Sequence, residues 1–391
     1  MASGIPAHKI EAEAQHLTDG STTSVNAWSS PSPSAFDFRS DTITTPNARM
    51  LAAITATTLA DDVFQEDPTT NALETFMADL TGKEAALFVM SGTMGNQVAI
   101  RTHLQGPPHS VVADHRAHII EWEAGGVASL SGALVKGAVP TGGRSYITLE
   151  DVKKVADLRD DVHGCPTKLI SLENTLAGTI MPLVETRRIS EWAREKGIIM
   201  HLDGARIWEA VAAGAGSLKE FCECFDSISL CFSKGLGAPI GSVIVGTKAF
   251  VKRSRWVRKA IGGGTRQLGV LTAAARVAVE DTFLSGKLVE CHERARQIEK
   301  IWAKYGGKTT NPVETNMVWF DLEAAGMTAE MFIEAGQKAG LRLLGGRLVV
   351  HYQIGDEALE RVDNLAQAVL KGQQLNGNVR HDVEKMKITT E

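Results

Sequence analysis

The chain lacks a paired cysteine spacing, a histidine metal signature and any surplus of basic charge. Its five cysteines, Cys165, Cys222, Cys224, Cys231 and Cys291, form an odd set with no CxxC pair. That excludes a disulfide frame or a zinc ribbon and reads as reduced thiols in a cytoplasmic protein. The eleven histidines form neither HExxH nor HxH, so no metal site is expected. Acidic residues outnumber basic ones, 46 to 41, and the net charge of −5 gives no electrostatic reason to expect nucleic acid or an anionic membrane as partner. Residues 1–35 contain no uninterrupted apolar segment and no arginine, but they carry Glu11, Glu13 and Asp19. Neither a secretory signal nor a mitochondrial presequence has that composition, and the Ser, Thr, Pro and Ala content predicts a disordered tail. A second polar tail is expected over 376–391.

What the chain does have is 391 residues, 43% hydrophobic and 22% charged, enough for one large domain and a smaller one. Two stretches organise it. Phe225–Phe232 and Gly241–Gly246 are short, mostly apolar runs that predict buried strands, and between them lies Ser233-Lys234-Gly235-Leu236-Gly237. Desolvation opposes the charge on a lysine at a strand end, lowers its pKa and frees a nucleophilic amine for Schiff-base chemistry. Upstream, Ile198-Ile199-Met200-His201-Leu202 ends in Asp203-Gly204, again an apolar run closed by a charged residue and a glycine. Ligands of open parallel sheets collect beyond the carboxyl ends of the strands, and two such ends would set an acid and an amine on one edge. Pyridoxal phosphate requires that pair: a lysine to hold it and a carboxylate to keep its ring nitrogen protonated. A solvated loop lysine and an ordinary ion pair are compatible with the same spacing.

The remaining chain supports an α/β reading. The strand Ala85–Met90 runs into Ser91-Gly92-Thr93-Met94-Gly95-Asn96, where backbone amides, hydroxyls and a helix dipole would converge on an anion. Ser110–Ala113 leads to His118, a loop histidine able to lie against a flat ring. Lys168–Glu173, a helix over 184–196, the strand 198–202 and a helix over 207–213 alternate, which argues for a mostly parallel sheet covered by helices. Asp61-Asp62-Val63-Phe64-Gln65-Glu66-Asp67 reads as a solvated charge run, followed by a helix over 71–81 capped by Thr69 and Thr70. A long helix is expected over 268–305. Strands at 316–321 and 347–353 with helices at 328–339 and 356–371 then predict a small α+β domain. The domain division expected is an arm and large domain over 36–285 and a small domain over 286–375. Arg347, opening a strand of the small domain, suits a substrate carboxylate through its bidentate fork.

In order along the chain, FRSDT, DDVFQEDP, SGTMGNQ, HLDGARIW, SKGLGAPIGS and GGGTRQ make residues 36–372 resemble the low-specificity threonine aldolase family of pyridoxal-phosphate enzymes. The resemblance includes fungal alanine racemases of peptide pathways. It implies the aspartate-aminotransferase-like fold (fold type I), a small amino-acid substrate, and a homodimer or homotetramer whose subunits share active sites. It assigns Lys234 to the Schiff base, Asp203 to the pyridine nitrogen and His118 to the ring face. Gly92 and Thr93 would bind the phosphate, with Lys259 reaching it from a neighbouring subunit. Ser40, Arg206 and Arg347 would hold the substrate carboxylate. Two departures stand out: Phe64 replaces a tyrosine usual in the family, and Leu176 and Ala177 occupy positions where a histidine commonly follows Glu-Asn-Thr. Both remove hydrogen-bonding groups from the expected substrate pocket.

Overall fold

A computed structural model describes residues 32–372. Most of the tail expected over 1–35, and all of that over 376–391, lies outside the described residues. Residues 32–35 are an exception: they are built into a turn, where Ser34 Oγ donates to the Ile43 carbonyl at 2.5 Å.

The large unit holds α1 (Ala48–Thr55), α2 (Pro68–Thr81), β1 (Ala85–Val89), α3 (Gly92–His103), β2 (Ser110–Asp114), α4 (His118–Glu121), α5 (Gly126–Ser131) and β3 (Leu134–Ala138). It continues through α6 (Leu149–Val155), β4 (Thr167–Glu173), α7 (Leu183–Glu195), β5 (Ile199–Gly204), α8 (Ile207–Ala212) and α9 (Leu218–Glu223). β6 (Ser227–Cys231), β7 (Ser242–Gly246), α10 (Lys248–Ala260) and α11 (Gly269–Ala278) complete it. The sheet order is β1-β7-β6-β5-β4-β2-β3. β6, β5, β4, β2 and β3 are parallel neighbours, while β7 runs against both β1 and β6. β2, β6 and β7 are buried along their whole length, as strands covered on both faces must be. On α7 an apolar stripe of Ile189, Trp192 and Ala193 is buried against the sheet core.

Three local expectations are corrected. α2 starts at Pro68, and its cap is Asp67, whose carboxylate accepts the Thr69 amide at 3.3 Å. Proline suits the first helical position because its missing N–H costs nothing there, so Thr69 and Thr70 fall inside the helix. The acidic run is only partly a solvated face: Phe64, Gln65 and Glu66 are exposed, but Asp62 and Asp67 are buried, with Asp62 paired to Arg258 at 2.6 Å. The helix expected over 268–305 is broken. α11 passes into a π-helical turn, Val279–Leu284, and Gly286, at φ 85°, restarts the chain as α12 (Lys287–Lys304).

The C-terminal unit adds β8 (Met317–Trp319), α13 (Ala329–Lys338), β9 (Arg347–Val349) and α14 (Asp356–Lys371), with β8 and β9 antiparallel. Its core is built on Trp302 stacked on Phe320 at 4.1 Å, with Phe332 edge-on to both. Phe38 belongs to this core as well: its amide donates to the Arg342 carbonyl and its carbonyl accepts the Val349 amide, each at 2.9 Å. The N-terminal arm, grouped by the sequence with the large domain, is thereby bonded into the small one. Ser40 and Asp41 are then carried across to the edge of the large sheet.

Candidate active site

β2, β4, β5 and β6 all end at one edge of the sheet. Because β7 opposes both neighbours, β1 shares the direction of β6, and α3 opens at that same edge. The edge therefore gathers His118 at the start of α4, Glu173 at the end of β4, Asp203 in β5, Lys234 just after β6 and Gly92 at the start of α3. Glu173 and Asp203 are register partners on adjacent strands.

A hydrogen-bond network ties several of them together. Asp203 accepts the Ala205 amide at 3.0 Å and Asn96 Nδ2 at 2.7 Å. Asn96 Nδ2 also donates to Glu123 Oε1 at 2.8 Å, and the other Glu123 oxygen takes Gln97 Nε2 at 2.6 Å. His118 Nδ1 donates to Glu123 Oε1 at 2.8 Å, and the His118 amide donates to Glu173 Oε2 at 2.8 Å. One side-chain nitrogen or oxygen from each of His118, Glu123 and Asp203 lies within 4.8 Å of the other two. The bond to Glu123 raises the His118 pKa. Burial, reinforced by the Asp203 charge on the next strand, raises that of Glu173 and holds its proton. Behind Asn96 the chain continues. With both amide protons directed at carboxylates, Asn96 Oδ1 accepts His201 Nε2–H at 3.2 Å. His201 Nδ1 then takes the Ser227 hydroxyl proton at 2.8 Å, and His103 Nε2 donates to Ser227 Oγ at 2.8 Å. Burial pushes His201 down to about 3 and His103 to about 4, so both are neutral.

Lys234 is half-buried, its carbonyl accepting Thr44 Oγ1 at 2.8 Å, and its charge is felt at Asp41, His118 and Glu173. Beside it, Arg206 forks onto the buried Asp41 through Nε at 2.8 Å and Nη2 at 2.5 Å. Arg206 therefore does not present its whole fork to a ligand: Nη1 is the nitrogen left over. Arg347 donates to the Arg39 carbonyl at 2.9 Å, and burial first, then the nearby Arg206 charge, lowers its pKa. The two guanidinium groups repel each other, and the Asp41 carboxylate is bonded to Arg206, which leaves positive potential at Arg347 for an anionic ligand. Ser40 stands next to them; its Oγ accepts the Thr42 amide at 3.2 Å and the Thr42 hydroxyl at 2.9 Å, leaving its own proton to give.

At the start of α3, Ser91 caps the Met94 amide at 3.1 Å, and the first-turn amides of Gly92 and Thr93 point out of the helix. A Cβ on Gly92 would lie 2.7 Å from Cys231 Sγ, so this close docking of helix on strand needs glycine. Lys259 is placed elsewhere within a single chain. It is exposed at the end of α10 and lines a cavity of about 1050 Å³ with Glu74, Lys83, Arg255 and Trp256. That cavity contains none of His118, Asp203 and Lys234. Sequence reasoning missed Asn96, Glu123 and Glu173 as site residues, although the first and last lie inside stretches that it singles out. For Glu123 there was no signal, since α4 ends at Glu121 and no helical spacing links it to His118.

The donor set fits pyridoxal phosphate: a half-buried lysine, a buried carboxylate, an imidazole close to that carboxylate and a glycine-bearing helix start for the phosphate. The comparisons agree. A family model described as beta-eliminating lyase matches residues 37–325. The aldolase vrtJ of Penicillium aethiopicum is 60% identical over 352 residues, 90% of each chain. The alanine racemase TOXG of Cochliobolus carbonum is 44% identical over 351 residues, 88% of this chain and 90% of its own. The solved structure of Leishmania major threonine aldolase superposes with a TM-score of 0.74 at 20% identity, covering 85% of this chain and 99% of that one, and shows the shared fold. Sequence, sheet topology and relatives meet in one statement: the chain belongs to the beta-eliminating lyase family and is a pyridoxal-phosphate-dependent lyase.

Proposed function

We propose that this enzyme breaks the Cα–Cβ bond of a 3-hydroxy amino acid, threonine or allo-threonine, releasing glycine and an aldehyde. The observation that carries this is the placement of Arg206, Arg347 and Ser40 beside the edge that holds Lys234, Asp203 and His118. An α-carboxylate held at the first group leaves the reacting bond over the second. The 60% identical relative named an aldolase supports the choice of bond. When bound, pyridoxal phosphate supplies a sink for the electrons left at Cα. Asp203 would pair with the ring nitrogen, His118 would face the ring, and Gly92 and Thr93 would donate to the phosphate. Lys234 would hold the cofactor through its side-chain amine. Leu176 and Ala177 offer no base for the β-hydroxyl proton, and the base proposed in their place is a bound water. Lys259 and Phe64, the latter 68% exposed, stand free to complete the site of a neighbouring copy in a homodimer or homotetramer. The unpaired thiols suit the cytoplasm.

A second reading has its own observation. With apolar Leu176 and Ala177 the site has lost partners for a hydroxyl, and a relative at 44% identity is named an alanine racemase. Such a pocket suits a methyl side chain and proton exchange at Cα. One experiment separates the two: incubation with L-threonine, L-allo-threonine and L-alanine, followed by acetaldehyde detection and chiral chromatography. Acetaldehyde and glycine without D-alanine are expected; rapid D-alanine formation with negligible acetaldehyde would replace the aldolase with the racemase.

A further inference from the structure

Glu123 has no part in the scheme above, yet it is the hub of the network at the sheet edge. Its carboxylate belongs to a residue only 4% exposed, and it takes Asn96 Nδ2 at 2.8 Å, Gln97 Nε2 at 2.6 Å and His118 Nδ1 at 2.8 Å. A buried carboxylate is costly unless donors surround it, and these three come from two separate elements, α3 and the start of α4. Gln97 is itself clamped, since a Cβ on Gly126 would lie 2.6 Å from its Cδ. Asn96 spends its amide on Glu123 and Asp203 together, so one carboxylate braces both groups read as facing the cofactor.

We propose that Glu123 is a positioning residue that keeps His118 protonated at Nδ1, so that His118 gains and loses its proton at Nε2. The inference rests on the reading of His118 as a group facing the cofactor. A carboxylate is an acceptor only, so Nδ1 keeps its hydrogen in the neutral and the charged ring alike, and the Nε2 lone pair is the one exposed to exchange. The Glu123 bond is the largest influence raising the His118 pKa. Asp203 adds to it, burial and Lys234 oppose it, and Glu173 meets His118 at the backbone amide. The Glu123 bond thus favours the charged form of His118 relative to a free imidazole and sets the orientation of the ring from behind.

The test is the pH dependence of carbethoxylation at His118, mapped by peptide mass spectrometry in the full-length chain. Wild type, Glu123→Gln and Glu123→Asp are compared, each before and after loading with pyridoxal phosphate. Glu123→Gln is expected to lower the His118 midpoint by about one pH unit or more, read as roughly tenfold faster modification below the wild-type midpoint. Glu123→Asp, which keeps the charge but draws it back, is expected to move the midpoint the same way by less. It carries the test if the glutamine variant does not fold. An unchanged midpoint in a folded variant overturns the proposal. Protection of His118 on loading tests separately whether the ring covers it, so failure of the cofactor-facing reading is distinguishable from failure of this one.

Discussion

Asp203 is 4% exposed, and the hydrogen bonds at its carboxylate are all donated to it, by Asn96 and by the Ala205 amide. Asp203→Asn keeps the shape but removes the charge opposite a pyridine nitrogen. It also sets an amide group against the Asn96 amide across 2.7 Å. Turnover is expected to fall by at least about a hundredfold with cofactor still bound, as when a preorganised electrostatic partner is lost. The check is kcat alongside cofactor occupancy from visible absorbance; near-normal turnover at full occupancy would take Asp203 out of the chemistry. Arg206 shows the same dependence on surroundings in the other direction. Read from its motif it is a substrate-binding cation, but Asp41, which lies 165 positions away, claims two of its nitrogens. A local motif names the residue type and leaves its partner open.

At the scale of elements, α3 is the one to perturb. Its start rests on the end of β6, where a methyl group added at Gly92 would come within 2.7 Å of Cys231 Sγ. Gly92 has no left-handed backbone requirement, so Gly92→Ala acts by packing alone and is expected to cost about 1–3 kcal/mol while displacing the phosphate-facing amides. Adding Cys231→Ala removes the obstructing sulfur and should return most of that stability and of the affinity for pyridoxal phosphate. Thermal unfolding and cofactor titration of the two single variants and the double variant provide the measurement. Additive losses in the double variant would show that the two residues do not meet.

Over the whole molecule, the buried neutral histidines predict how stability follows pH. His201 and His103 sit at about 3 and about 4, below their ordinary value of 6.5, because burial opposes charge. The unfolded chain binds those protons first. The stability they contribute is therefore complete above about pH 6.5 and is lost as pH falls through the folded values, by up to about 1.4 kcal/mol per pH unit for each proton. His118 and Glu173, with raised pKa values, act in the opposite sense, so the informative quantity is a difference between variants. His201→Gln is expected to flatten the decline of Tm between about pH 6.5 and 4. An unaltered slope would mean that His201 is already charged in the folded protein.

By itself the sequence determined six of the seven sheet strands, all but β3, together with the lysine and aspartate at their ends and the glycine-led start of α3. Each of these is written in a few consecutive residues: an apolar run, then a charge, then a glycine. Tertiary structure decided what those residues touch. β1 comes first in the chain, yet β7, β6, β5 and β4 separate it from β2, and that order brings α3 and α4 to one edge. Only there can Asn96 reach Glu123, 27 positions on, and Asp203, 107 positions on. The burial of Asp62 and Asp67, the docking of Phe38 into the C-terminal core and the break before Gly286 have the same origin. Hydrogen bonds and packing between distant residues carry no period along the chain, so no local pattern announces them.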